Sequence, residues 1–217
     1  MRFSATVLIL AVSILATAGA VAAPVLDGQV QPAPVTDFYT TCIVDSPDVT
    51  GAPGLDISKL NFAFDDTYVY VGVSTTGPFN PSGSDQSIDG ATTFTMGMYA
   101  TNDSSMVRMF RVYMTSPTDV VGNLYTSKCS TAAPVWTTGQ GDIAVAETTT
   151  GGGLEFRIPR NELGDLGTNF VVRAELDDNG GYTDDTISGQ VPEPATMALL
   201  GLGVVGLVIR RRRHLGW

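Results

Sequence analysis

Histidine is almost absent: the chain of 217 residues has one, His214, near its C-terminus. Catalysis by Ser-His-Asp or Cys-His systems is thereby excluded from the body of the protein, and the commonest ligand for zinc and copper is missing too. Basic residues are also scarce, twelve against 22 acids, and four of the twelve stand together at 210–213. Between residues 23 and 190 only Lys59, Arg108, Arg111, Lys128, Arg157, Arg160 and Arg173 oppose 21 acids, a net charge of −14. Such a surface repels nucleic acid and anionic membrane, because binding either requires basic side chains that neutralise phosphate. It suits cations and neutral partners such as glycans, and equally serves plain solubility. Cysteine occurs twice, Cys42 and Cys129, without CxxC or metal-ligand spacing, which argues against redox and zinc roles. A carboxylate-only glycoside hydrolase passes these tests, since it needs two acids and no imidazole, but nothing in the sequence marks such a pair. The expectation is a protein that is not an enzyme.

What is present is most specific at the two ends. Met1–Ala22 has one basic residue, Arg2, an apolar core from Val7 to Ala18, and the small-residue cleavage site Ala20-Val21-Ala22. That pattern is a secretory signal peptide, cut by signal peptidase after Ala22. At the other end Val191-Pro192-Glu193-Pro194 precedes an uncharged apolar run, Ala195–Ile209, and then Arg210–Arg213. The run is shorter than the ~20 residues of an ordinary transmembrane helix. Snorkelling arginines help it span, and they hold the basic end in the cytoplasm with the body on the far side. Pro192 and Pro194 break helix and leave an extended, cleavable link around Glu193. This order of parts over residues 191–217 resembles the PEP-CTERM sorting signal of Gram-negative bacteria. The resemblance implies that an exosortase-type membrane protease recognises Pro192, Glu193 and Pro194. The protein would be held transiently in the inner membrane and then released to the cell surface or extracellular matrix. A plain C-terminal membrane anchor is the alternative reading.

The remaining residues, 23–190, suit one domain. An even pair of cysteines in an exported chain reads as a disulfide, Cys42–Cys129; two free buried thiols are the other reading. Period-2 alternation recurs along the body. Leu60, Phe62 and Phe64 form one run, and Val69, Val71 and Val73 another, with Asp65-Asp66-Thr67 as the turn between them. Further runs are Phe94–Met98, residues 106–114, Leu154–Ile158 and Phe170–Leu176, with weaker ones at 121–126 and 142–147. In 106–114, Val107, Met109 and Arg111 are expected on one face and Phe110, Val112 and Met114 on the other. Pro159–Leu163 reads as one helical turn, and Thr76–Ala91 as a long surface loop. Many short strands punctuated by glycine, proline and asparagine indicate an all-β fold, a single antiparallel β-sandwich of jelly-roll type.

The segments Pro24-Val25-Leu26-Asp27-Gly28, Asp56–Val73 and Gly153–Pro159 resemble those of family-9 carbohydrate-binding modules and DOMON-like domains. The resemblance implies a jelly-roll sandwich and a glycan ligand such as extracellular polysaccharide. The tryptophan that usually follows the initial Asp-Gly is missing, and the lack of histidine speaks against haem. Trp136 is the one tryptophan of the body. It is open to two readings, a stacking platform for sugar or a half-buried core anchor. Tyr125 and Tyr182 are further platform candidates. Loop acids Asp177, Asp178, Asp184 and Asp185 offer the oxygen ligands of a structural calcium ion, or are simply solvated turns.

Overall fold

The period-2 runs become strands of two antiparallel sheets, each with its apolar phase turned toward the other. The computed structural model describes residues 23–30, 39, 41–48, 54–77, 79, 92–101, 106–116, 118–126, 133–146, 153–166, 169–177 and 185–191. The signal peptide, the sorting tail from Pro192 onward, Cys129, Asp178, Tyr182, Asp184 and most of the expected 76–91 loop lie outside the described residues.

The strands are β1 (Thr41–Val44), β2 (Ile57–Phe64), β3 (Tyr68–Thr75), β4 (Thr92–Ala100), β5 (Met106–Ser116) and β6 (Asp119–Tyr125), then β7 (Trp136–Thr137), β8 (Ile143–Val145), β9 (Gly153–Pro159), β10 (Phe170–Asp177) and β11 (Asp185–Val191). The expected helical turn is a 3-10 segment, Arg160–Leu166. One sheet has the order β1-β2-β3-β9-β8 and the other β11-β10-β4-β5-β6-β7. Hairpins build β2–β3 and the meander β4–β7, and the chain changes sheet after β3, β7 and β9.

Between the sheets lie Leu60, Phe62, Val71, Val73, Phe94, Phe110, Val112, Leu154, Phe156, Ile158, Phe170, Val172 and Leu176, all fully buried. Aromatic contacts tie the sheets together. Phe156 of β9 stacks on Phe110 of β5 at 4.4 Å between centroids and meets Phe94 of β4 at 5.7 Å. Phe62 of β2 meets Phe170 of β10 edge-on at 6.4 Å.

One facing assignment differs from expectation. Val107 does not share the outer face with Met109 and Arg111; it packs partly against the core. The pairing of β4 with β5 steps from Met98↔Arg108 to Tyr99↔Met106, so Val107 is the extra residue of a bulge.

The outer face of the five-stranded sheet is covered by the chain's own N-terminal segment. Glu155 of β9, fully buried, accepts hydrogen bonds from the amides of Asp27 (3.0 Å) and Gly28 (2.9 Å) and from the Tyr39 hydroxyl (2.7 Å). Gly28 has φ +80°, and a Cβ there would stand 2.4 Å from the Ala146 nitrogen, so glycine is required on both counts.

The β2–β3 turn is organised by Asp65. Its carboxylate accepts from the amides of Thr67 (2.7 Å) and Tyr68 (2.6 Å) and from the Tyr70 hydroxyl (2.7 Å). Burial alone would raise its pKa. The hydrogen bonds from Tyr70, Tyr68 and Thr67, with the charge of Arg160, outweigh burial and hold it below the usual 3.8. Burial and the Asp65 anion push the Tyr70 phenol up to about 12.

Two outcomes follow from this packing. Phe156→Ala should destabilise the fold by about 3–5 kcal/mol in denaturant titration, because it empties the stack between sheets. Asp65→Asn should cost about 1–2 kcal/mol at pH 7. A carboxylate whose pKa is depressed on folding stabilises fully above its unfolded value and loses that contribution as pH falls through the folded value. The melting temperatures of wild type and Asp65→Asn should therefore converge as pH drops below the unfolded value of 3.8.

Candidate functional site

The outer face of the six-stranded sheet carries a groove built by strand register. The alternation that buries Phe94, Met96 and Met98 turns Thr95, Gly97 and Tyr99 outward on β4. The same rule turns out Met109, Arg111 and Tyr113 on β5, and Arg173 and Glu175 on β10. Pairing then aligns Glu175, Thr95, Arg111 and Asn123 in one row across four strands. The neighbouring row is Arg173, Gly97, Met109 and Tyr125. Gly97 has no side chain, and the Met106 methyl and the Tyr99 ring lie close over it. Around them is a groove of about 270 Å³ lined by Tyr99, Met106, Met109, Arg111, Arg173 and Glu175.

The guanidinium of Arg111 is held in place over the sheet. Its Nε donates to Thr95 Oγ1 (3.3 Å) and one terminal nitrogen to the Tyr113 hydroxyl (3.2 Å), and it lies 5.9 Å from the centre of the Tyr113 ring. Tyr113 is 43% exposed. The groove thus offers arginine donors, the Glu175 carboxylate as acceptor and the Tyr99 ring, with the Tyr113 ring beside it. Among the described residues that line it, Glu175 is the one acid.

The platform candidates fall elsewhere. Trp136 forms β7 with Thr137, half-buried, its indole 6.3 Å from Phe110 at the margin of the core. Tyr125 is on the outer face of β6 but is only 7% exposed, so it presents no open ring to a ligand. Tyr182 lies outside the described residues. A second depression of about 260 Å³, around residues 138–145, has no aromatic in its lining. Tyr99 and Tyr113 were not singled out by the sequence; the polar phase of β4 and β5, opposite the apolar one, was the signal available for them. Cys42 stands on edge strand β1, exposed and without a disulfide to any described residue.

The acids regroup. Leu176 pairs directly with Asp185, so the two side chains share the inner face, and Asp177, one residue on, turns to the outer face. Closeness in sequence between Asp177 and Asp185 therefore does not become closeness of their carboxylates. Instead Asp185 meets Asp48 and Asp56. Its carboxylate accepts the Ile57 amide. Burial pushes the Asp185 pKa up to about 6 against that hydrogen bond, and Asp48, Asp45 and Asp56 add to the rise. Asp48 and Asp56 precede β2 by sequence and carried no metal-binding spacing that linked them to a residue some 130 positions later.

Among the described residues no helix is long and apolar enough to cross a membrane. No curated protein and no solved structure matches the chain. The resemblance of the body to family-9 carbohydrate-binding modules accordingly has no matching relative behind it. One family model does match, that of the PEP-CTERM protein-sorting motif, over residues 190–213. The chain carries this sorting motif, which implies export, sorting to the cell surface and processing by an exosortase membrane protein.

Proposed function

We propose that the exported domain is a non-catalytic module of the cell surface or extracellular matrix that binds polysaccharide in the groove over Gly97. The observation that carries this reading is the groove itself. It crosses the outer face of β10, β4 and β5, lined by two arginines, a glutamate, a tyrosine and two methionines. A sugar ring needs a shallow slot with donors, acceptors and a ring edge, and this face has all of them. Hydrolysis of a glycosidic bond by carboxylates alone needs two acids across the cleft, and the described lining has one. The strongly acidic surface supports a neutral rather than a polyanionic glycan. Export and sorting to the cell surface, implied by the motif, support a ligand outside the cell. In this reading the exosortase-type protease acts on Pro192–Pro194, and the apolar run 195–209 is a transient anchor in the inner membrane.

Gly97→Val tests the groove. The added carbon would stand 2.6 Å from Met106 Cε, the end of a flexible side chain, and 3.1 Å from the Tyr99 ring, so both side chains must move and the groove they line changes shape. Retention of the full-length chain on the host's purified exopolysaccharide should fall roughly tenfold, about 1.4 kcal/mol, in a variant whose circular dichroism shows the β-fold intact. Silence of the folded wild type toward the exopolysaccharide and a broad glycan panel would defeat the binding reading and leave a scaffolding role in the matrix. For the tail, intact mass from the native host should show loss of the C-terminal segment in wild type and its retention in Glu193→Ala. Retention in both would make this a permanently anchored domain.

A further inference from the structure

Three parts of the chain bring acids together at the start of β11. Asp48 lies in the segment after β1, Asp56 immediately before β2, and Asp185 is the first residue of β11. Each offers a carboxylate oxygen, and the three oxygens lie within 4.8 Å of one another. Asp56 and Asp185 are 1% and 2% exposed, while Asp48 is open to solvent. Carboxylates packed this closely in a poorly solvated place repel strongly unless something positive neutralises them.

A second observation points to what that is. Asp56 Oδ1 is buried with no hydrogen-bond partner. A buried carboxylate oxygen is normally paired or bound to a metal, and an orphan is costly. Asp185 has only a neutral partner, the Ile57 amide. Among the described residues none of these three acids is ion-paired; the pair that does form, Arg157–Asp142, involves other elements.

We propose that Asp48, Asp56 and Asp185 bind a calcium ion, which clips the last strand of the sandwich to the start of β2. The donor set is all oxygen, as a hard cation requires. Calcium–oxygen distances of 2.3–2.6 Å put opposite ligands about 4.6–5.2 Å apart, a sphere that matches the spread of these oxygens. Calcium also tolerates irregular geometry, with water completing the shell on the exposed side of Asp48. Magnesium is smaller and demands near-ideal octahedral placement, which three carboxylates from unrelated segments do not supply. The site is independent of the groove over Gly97, so each can fail without the other.

The test uses the full-length chain, purified in mild detergent, stripped with chelator and titrated with CaCl2 or MgCl2 at matched ionic strength. Calcium should raise the melting temperature by several degrees and saturate with a Kd of roughly 10⁻⁴–10⁻³ M, the range of extracellular modules. Magnesium at the same concentration should not. Asp185→Asn keeps an acceptor for the Ile57 amide and removes a buried charge, so in chelator it should melt at or above wild type, yet gain nothing from calcium. Asp48→Asn alters an exposed side chain without threatening the fold, and should weaken calcium binding roughly tenfold. A wild type that ignores calcium, an equal response to magnesium, or an Asp185→Asn variant that keeps the full calcium response would each overturn the proposal.

Discussion

The contact between Phe156 and Phe110 sets the arrangement of almost everything else. These rings come from opposite sheets and stack at 4.4 Å, and that fixes which phase of each strand points inward. A strand has only two faces, so each neighbour of a core residue is committed to the outside. With Phe156 inward, Glu155 must face outward, where it meets the Asp27 and Gly28 amides and closes the N-terminal segment over its sheet. With Phe110 inward, Arg111 must face outward into the groove. One packing decision thus produces a sealed outer face on one sheet and an open polar one on the other.

The two outer faces show how differently polar groups are treated. On the five-stranded side the carboxylate of Glu155 is fully buried and its hydrogen bonds to two backbone amides and a tyrosine satisfy it. Such a group holds structure because its desolvation is offset within the protein. On the six-stranded side Arg173 is exposed and Arg111 half-buried, with capacity left for a partner. The Asp185 cluster is a third case, buried like Glu155 but without its full set of donors.

Much of the sandwich was legible because its core strands alternate strictly. Leu60 to Phe64, Val69 to Val73, Phe94 to Met98, Leu154 to Ile158 and Phe170 to Leu176 all take the faces that their period predicts. Strands without an apolar phase were not legible. β11 reads Asp-Thr-Ile-Ser-Gly-Gln-Val and is a strand because β10 pairs with it along its length. β1 is a four-residue edge strand with alternate residues exposed, and β7 has two residues. The functional surface was illegible for a related reason. A groove across β10, β4 and β5 depends on register between strands far apart in the chain, and no local pattern encodes register. The bulge at Val107 is the same lesson within one hairpin.

The last strand also bears on how the tail is handled. Val191 is the final residue of β11 and is fully buried, yet the matched sorting motif already begins at residue 190. Only residues 192–194 separate that buried valine from the apolar run. Even fully stretched, the step from Val191 to Ala195 spans at most about 14 Å. By chain length alone, the matched motif therefore overlaps the end of the folded sandwich, and its processing takes place within a few residues of a buried strand.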